Sequence, residues 1–322
     1  MKLKLVFSRL NRIVVCGAVA LLLLLTTAVA QTPDDEATRK LWDTGFLQKR
    51  PASAKPGRTA AANAKTKYKR VTPPLPTDSA MAGTGSEALV GITVWRLRPV
   101  KPADEARILV YRRDTKKAAE FTPERVASNA PLARGQRVRL SIEAPRTGYL
   151  YVIDREQYAD GSLSQPYLVY PVPHADNKVM AGRVIEIPPP GEDGAATYFE
   201  LQSLERSNQP AQIAEMLTVL ISPEPLPGLK LSEEPLALPN GMMDEWEKKW
   251  GAQSERLELV GGAGRAYTKA EKAAAVSSRR LTSVDPLPQT IYRVAAKPGN
   301  PLLVSVPLNL ATEDLRKDRK NE

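Results

Sequence analysis

After Leu89 the chain breaks into eleven short runs of β-type residues, each closed by Pro, Gly, Asn or Asp, and this pattern restricts the fold more than any other feature. The runs are 89–97 (LVGITVWRL), 107–113, 137–144, 149–154, 166–171, 183–188, 197–201, 216–222, 256–260, 290–295 and 302–310. Many short strands without regular alternation with helices predict an antiparallel two-layer structure rather than a doubly wound sheet. The expected fold is therefore mainly β, an antiparallel β-sandwich of Ig-like or jelly-roll-like type spanning 89–310. Within it, Val138, Leu140 and Ile142 alternate with Arg139, Ser141 and Glu143, which predicts one wet face on that strand.

Two helical insertions interrupt the β pattern, near 240–251 and 268–280. Asn240 is placed to cap the first, and Met242, Trp246 and Trp250 then fall on one side of it, a spacing that reads as a packing stripe. Thr268 followed by Glu271 forms the capping-box pattern for the second, whose Ala- and Lys-rich composition puts it on the surface.

The N-terminus carries Lys2, Lys4, Arg9 and Arg12 without an acidic residue, then an apolar stretch from Ile13 to Ala30 ending in Ala-Val-Ala. That order predicts a secretory signal peptide over 1–30, cleaved after Ala30, with an uncleaved anchor as the alternative. Cleavage removes Cys16, the single cysteine, and leaves 292 residues of charge +6 for export to the periplasm or the outside of the cell. Such a chain is stabilised by its core rather than by disulfides. Residues 31–88 are rich in Pro, Ala and Lys and are expected to form a disordered basic linker. Its eight basic residues between Phe46 and Thr77 suit anionic envelope polymers or lipid, while the absence of a recognition motif argues against nucleic acid. Residues 311–322 form a charged tail.

Residue types for catalysis or metal binding are sparse. His174 is the single histidine, in a Pro/Asp/Asn loop with no G-x-S-x-G around any serine. One His and no Cys in the exported chain do not make a zinc centre. Asp154, Glu156 and Asp160 invite a calcium reading but miss the loop spacing that calcium ligands take. The segment 260–266 (VGGAGRA) lacks the Lys-Ser/Thr ending of a phosphate loop, so its glycines are expected to serve turns. No cofactor is implied.

The stretch GYLYVIDREQYADGSLSQPYLVYP (148–171) predicts a hairpin. If Asp160 and Gly161 are the central residues of a two-residue type I′ turn, Tyr151 faces Tyr170, Ile153 faces Leu168, Asp154 faces Tyr167 and Tyr158 faces Leu163. The outer half then presents Tyr158, Leu163 and Tyr167 beside Asp154 and Glu156 as a candidate binding face for a glycan or a protein. The competing expectation is that this face packs against the sandwich or an inserted helix.

These residues, together with NKVMAGRVIEIP, YFELQ and EMLTVLISPEPL, make the span of about 120–227 resemble the bacterial family called domain of unknown function 4384. The resemblance implies a β-rich, non-enzymatic module of exported or envelope-associated proteins, and it carries over no functional residues. The expected function is a binding or structural module of the cell envelope. The alternatives are a carbohydrate-binding module using the hairpin tyrosines and a hydrolase with His174 in its cleft.

Overall fold

The computed structural model describes residues 46, 49–53, 66–72, 86–112, 117–173, 175–191, 194–202, 210–229, 235–239, 241–250 and 254–311. The signal-peptide segment with Ala30, the charged tail 311–322 apart from Ala311, His174 and Asn240 lie outside them. In chain order the elements are β1 (Tyr68–Arg70), β2 (Ser86–Pro99), β3 (Ile108–Arg112), β4 (Lys117–Arg125), β5 (Arg137–Glu143), β6 (Gly148–Tyr158), β7 (Tyr167–Tyr170) and β8 (Lys178–Val179). There follow β9 (Val184–Ile187), β10 (Phe199–Glu200), β11 (Gln212–Ser222), β12 (Leu236–Ala237), α1 (Met242–Trp250), β13 (Ser254–Leu259), α2 (Lys269–Val276), β14 (Thr290–Ala296) and β15 (Leu302–Asn309).

The strands form two antiparallel sheets, one of nine strands and one of six, and the fold is a β-sandwich. In the first sheet, β5 takes one edge of β2 over residues 91–96. β14 and β4 therefore share the other edge end to end, and β13 with β1 extends the sheet beyond β14. The second sheet runs β12-β7-β6-β11-β15. Alternation decides what lies between the layers: Val90, Ile92, Val94, Val138, Leu140 and Ile142 from the first sheet meet Leu150, Val152, Leu217, Val219, Ile221 and Val304 from the second.

Both outer faces are covered as well. On the second sheet, Tyr151, Ile153, Leu168, Leu220 and Leu303 cluster with Leu238 and with the buried Met243 of α1. Met242, Trp246 and Trp250 pack at the margin of this cluster, the two indoles stacked at 5.4 Å, so the expected packing stripe is present. In α2 the capping box of Thr268 and Glu271 is formed, and Ala274 is the buried contact.

The face of β5 expected to be wet is covered. Arg139 is 2 % and Glu143 7 % exposed, because each charge has a partner there: Arg139 pairs with Glu186 at 3.0 Å, and Glu143 takes both arms of the Arg50 guanidinium at 2.9 and 2.6 Å. Arg50 further donates to the carbonyls of Asp285 and Pro286 and stands over the Phe46 ring at 5.3 Å, so it ties three segments together. Arg50 and Phe46 belong to the stretch expected to be a linker. So does β1, whose Tyr68 is buried and whose Arg70 pairs with the fully buried Glu255. The linker expectation does not extend to these residues, since buried ion pairs and ladder bonds hold them to the sandwich, and two of the eight basic residues are consumed there rather than offered to an anionic polymer.

Candidate functional site

The core row of β6, Leu150 and Val152, continues on the same face as Asp154, Glu156 and Tyr158. The core row of β11, Ile221, Val219 and Leu217, continues as Glu215. Register sets Leu217 opposite Asp154 and Glu215 opposite Glu156, and on the other side of β6 it sets Tyr167 opposite Asp154. The apolar interior thus gives way to carboxylates on the same inward-facing side of the sheet. There, Asp154, Glu156, Glu215, Tyr158, Leu163 and Tyr167 line a cleft of about 470 Å³.

Burial dominates the electrostatics of this cleft. It pushes Asp154 up to about 6, against a hydrogen bond shared with Glu215, and the Glu156 charge adds to the rise. Burial and then the Asp154 charge push Glu215 up to about 8. Glu215 Oε1 accepts from Gln212 Nε2 at 2.7 Å, whereas Glu215 Oε2 and Asp154 Oδ1 are buried and depend on the proton of the pair itself for a donor. At neutral pH such a pair keeps one proton between its members, because two adjacent buried carboxylates cannot both ionise cheaply. The Tyr158 hydroxyl donates to Glu156.

The hairpin reaches this arrangement by a register different from the expected one. Ile153 does face Leu168 and Asp154 does face Tyr167, but Tyr170 faces Val152 rather than Tyr151. The shift between Val152 and Ile153 turns Tyr170 into the intersheet core at 1 % exposure, while Tyr151 lies on the opposite face under α1. Burial of a large ring in each layer accounts for the bulge. The turn also differs: Tyr158 N donates to Ser162 O at 3.0 Å and Gly161 N to Tyr158 O at 2.9 Å, so the loop is the three residues 159–161, with Gly161 left-handed at φ 85°. Asp160 Oδ1 accepts from the Ser162 amide and hydroxyl at 2.9 and 2.6 Å, a side-chain bond that favours this turn over the two-residue type I′ form. In consequence Leu163 bridges to Gln157, not to Tyr158.

The three residues singled out from the sequence are nonetheless brought to one cleft, in unequal roles. Leu163 and Tyr167 are 40 % and 41 % exposed at its mouth, and Tyr158 is 7 % exposed in its wall. Asp160 is an exposed turn residue engaged by Ser162, apart from Asp154 and Glu156, so the three oxygens of the calcium reading do not converge. Among 260–266, Gly261 and Gly264 have positive φ in a turn, as expected. Glu215 was not anticipated. The signal was present, since the alternation of Leu217, Val219 and Ile221 extended one step back places Glu215 in the core row, but the expected strand began at 216.

No family model, curated protein or solved structure matches this chain.

Proposed function

We propose that this chain is a non-enzymatic binding or structural module of the bacterial cell envelope, exported by its N-terminal signal, whose partner is taken up at the hairpin cleft. The observation that carries this reading is the gathering of Leu163 and Tyr167 at the open mouth of a cleft whose wall holds Asp154, Glu156 and Glu215. The lining is mostly polar, and Leu163 and Tyr167 supply the apolar and aromatic part that a recognition site needs. The resemblance of 120–227 to an envelope-associated family and the signal-like N-terminus support the compartment. Among the described residues no helix is long and apolar enough to cross a membrane.

As a carbohydrate-binding module the site would rely on Tyr167, since Tyr158 is buried and engaged by Glu156 and offers no open ring for stacking. The hydrolase reading draws on the adjacency of two buried carboxyls, Asp154 and Glu215, both held above the ordinary carboxylate range by burial.

The test is affinity capture from native envelope with the wild type and with a Leu163→Ser, Tyr167→Ser variant, paired with N-terminal sequencing of the exported protein. The expected result is an N-terminus at Gln31 and a partner retained by the wild type and lost by the variant. Equal capture by both would overturn the assignment of the cleft, and an intact N-terminus in a cytoplasmic fraction would overturn the compartment.

A further inference from the structure

We infer that the proton shared by Asp154 and Glu215 is a latch: while the pair keeps it, the outer half of the hairpin stays seated on β11, and its loss to solvent as pH rises opens the cleft. This rests on the reading of the cleft as the binding site and names its regulation, capture at acid to neutral pH and release in alkali.

The latch sits where the second sheet is held least. Up to Asp154, β6 is paired with both β11 and β7, and its inward residues Leu150 and Val152 are core. Beyond Asp154 the inward row continues as Glu156 and Tyr158, the β6–β7 ladder is reduced to the single bridge of Gln157 with Leu163, and the β6–β11 register slips between Gln212 and Ala214. Within the outer half, residues 155–166, Ser164 N donates to Glu156 O at 2.9 Å and Glu156 N to Ser164 Oγ at 2.9 Å. Ala159 N donates to Ala211 O at 2.9 Å and ties the tip to the chain leading into β11. Local opening is drawn from such ends, where few apolar contacts back the hydrogen bonds. Leu163 belongs to this outer half and Tyr167 to its base, so opening parts the two residues of the mouth.

Across this end the shared proton is a bond between strands. Asp154 stands opposite Leu217 and Glu215 opposite Glu156, so the pair links β6 to β11 diagonally. Glu156 accepts from the Tyr158 hydroxyl and Glu215 Oε1 from Gln212 Nε2, and neither bond needs the shared proton. Asp154 Oδ1 and Glu215 Oε2 are buried and depend on it. When it leaves, a hydrogen bond becomes a repulsion between two buried carboxylates, with Glu156 directly opposite Glu215. Opening hydrates all three.

The surroundings do not counter this. The groups facing the pair are Glu156 and Tyr158 of β6, Tyr167 of β7, Gln212 of β11 and Leu308 of β15. Arg155 also lines the cleft, but it alternates with Asp154 and Glu156 along β6, and its guanidinium is 3.5 Å from Glu247 and 3.9 Å from Asp244 of α1. Among the described residues the nine-stranded sheet contributes no side chain to the lining. Burial holds the proton: it pushes Asp154 up to about 6 and Glu215 up to about 8, whereas the carboxyls of an opened, hydrated tip titrate at about 4. The closed form therefore binds more protons; its advantage is complete below about pH 4 and is lost as pH rises towards 8.

The experiment is amide hydrogen exchange by mass spectrometry on the full exported chain at pH 6 and pH 8.5, corrected for intrinsic rates. The expected result is that amides of 156–164 are less protected than the β2–β5 ladder and that their protection falls about tenfold or more between the two pH values. Glu215→Gln keeps an N–H donor to Asp154 and has no proton to lose, and the double variant Asp154→Asn, Glu215→Gln removes both titrations, so the fall is expected to vanish in each. Equal protection at both pH values, a fall of the same size in these variants, or tip amides that exchange only together with the β2–β5 ladder overturns the inference. Envelope capture at the same two pH values separates this inference from the site reading. Capture that depends on Leu163 and Tyr167 yet is equal at pH 6 and pH 8.5 keeps the site and removes the latch as its control. A tip that opens with pH while capture ignores Leu163→Ser, Tyr167→Ser removes the site and leaves the latch as a property of the hairpin.

Discussion

Glu156 and Glu215 are directly opposed residues of the β6–β11 ladder, two carboxylates on the inward-facing side of one sheet, with Asp154 one step deeper. Like charges in that position destabilise a sheet unless a proton or a cation intervenes. The arrangement therefore makes stability depend on pH. Asp154 and Glu215 are raised above their unfolded values, so the native state holds more protons than the unfolded one between roughly pH 4 and pH 8, and stability falls as pH rises through that window. Glu215→Gln keeps the shape of the protonated side chain without its titration. It is expected to lessen the fall in Tm between pH 5 and pH 8.5 by several degrees, at about 2–4 °C per kcal/mol for a domain of this size. A variant with the wild-type slope would show that the pair is not the cause.

On the acid side the sign reverses. Burial works against ionisation of Asp285, but bonds from Arg279 and from the Thr282 amide and hydroxyl win and hold it near 2. Its contribution is present above the unfolded value of about 4 and is lost as pH falls towards 2. Asp285→Asn is expected to be less stable than wild type at pH 6 and to lose less on acidification, as followed by thermal melts from pH 6 to pH 2.5.

Arg50 ties the N-terminal segment to the sandwich through Glu143 and the carbonyls of Asp285 and Pro286. Arg50→Ala leaves Glu143 buried without its guanidinium and is expected to cost about 3–5 kcal/mol in urea unfolding. The double variant Arg50→Met, Glu143→Leu is expected to recover a large part of that loss, because both charges are then gone. A loss below about 0.5 kcal/mol for Arg50→Ala would mean that residues 46–53 do not belong to the folded unit.

Gly91 stands where a Cβ would lie 2.9 Å from Pro288 Cγ and 3.3 Å from Glu143 Cβ, so β2 needs the bare backbone for the 285–288 loop to close over it. Gly91→Ala is expected to destabilise by about 1–3 kcal/mol through overpacking. Met243→Ala, which empties the buried contact of α1, is expected to cost about 2–5 kcal/mol and to red-shift tryptophan fluorescence as Trp246 and Trp250 are exposed.

The layers were legible in the sequence because alternation and turn residues are local signals. Each of the eleven expected strands has a counterpart, and β2, α1 and β15 complete the two layers and their cover. β4 was missed because KAAEFTPER combines weak strand formers with Pro123, which is accommodated beside Leu97 only once β2 is in place. β1 was missed because three residues in a basic, Ala- and Pro-rich stretch carry no period, and their partner, β13, is distant in the chain. At the candidate site Tyr158, Leu163 and Tyr167 could be singled out by hairpin reasoning, but the bulge at Val152 depends on which layer has room for Tyr170. Glu215 belongs to a neighbouring strand, and its approach to Asp154 is a matter of register between strands rather than of either sequence alone.

The most direct measurement is a carbon-13 titration of the side-chain carboxyls by NMR. The expected result is that Asp154 and Glu215 both titrate above the ordinary carboxylate range, as two steps of one coupled pair. The account of the hairpin cleft as holding a buried, proton-sharing carboxyl pair is contradicted if both carboxyls titrate near pH 4.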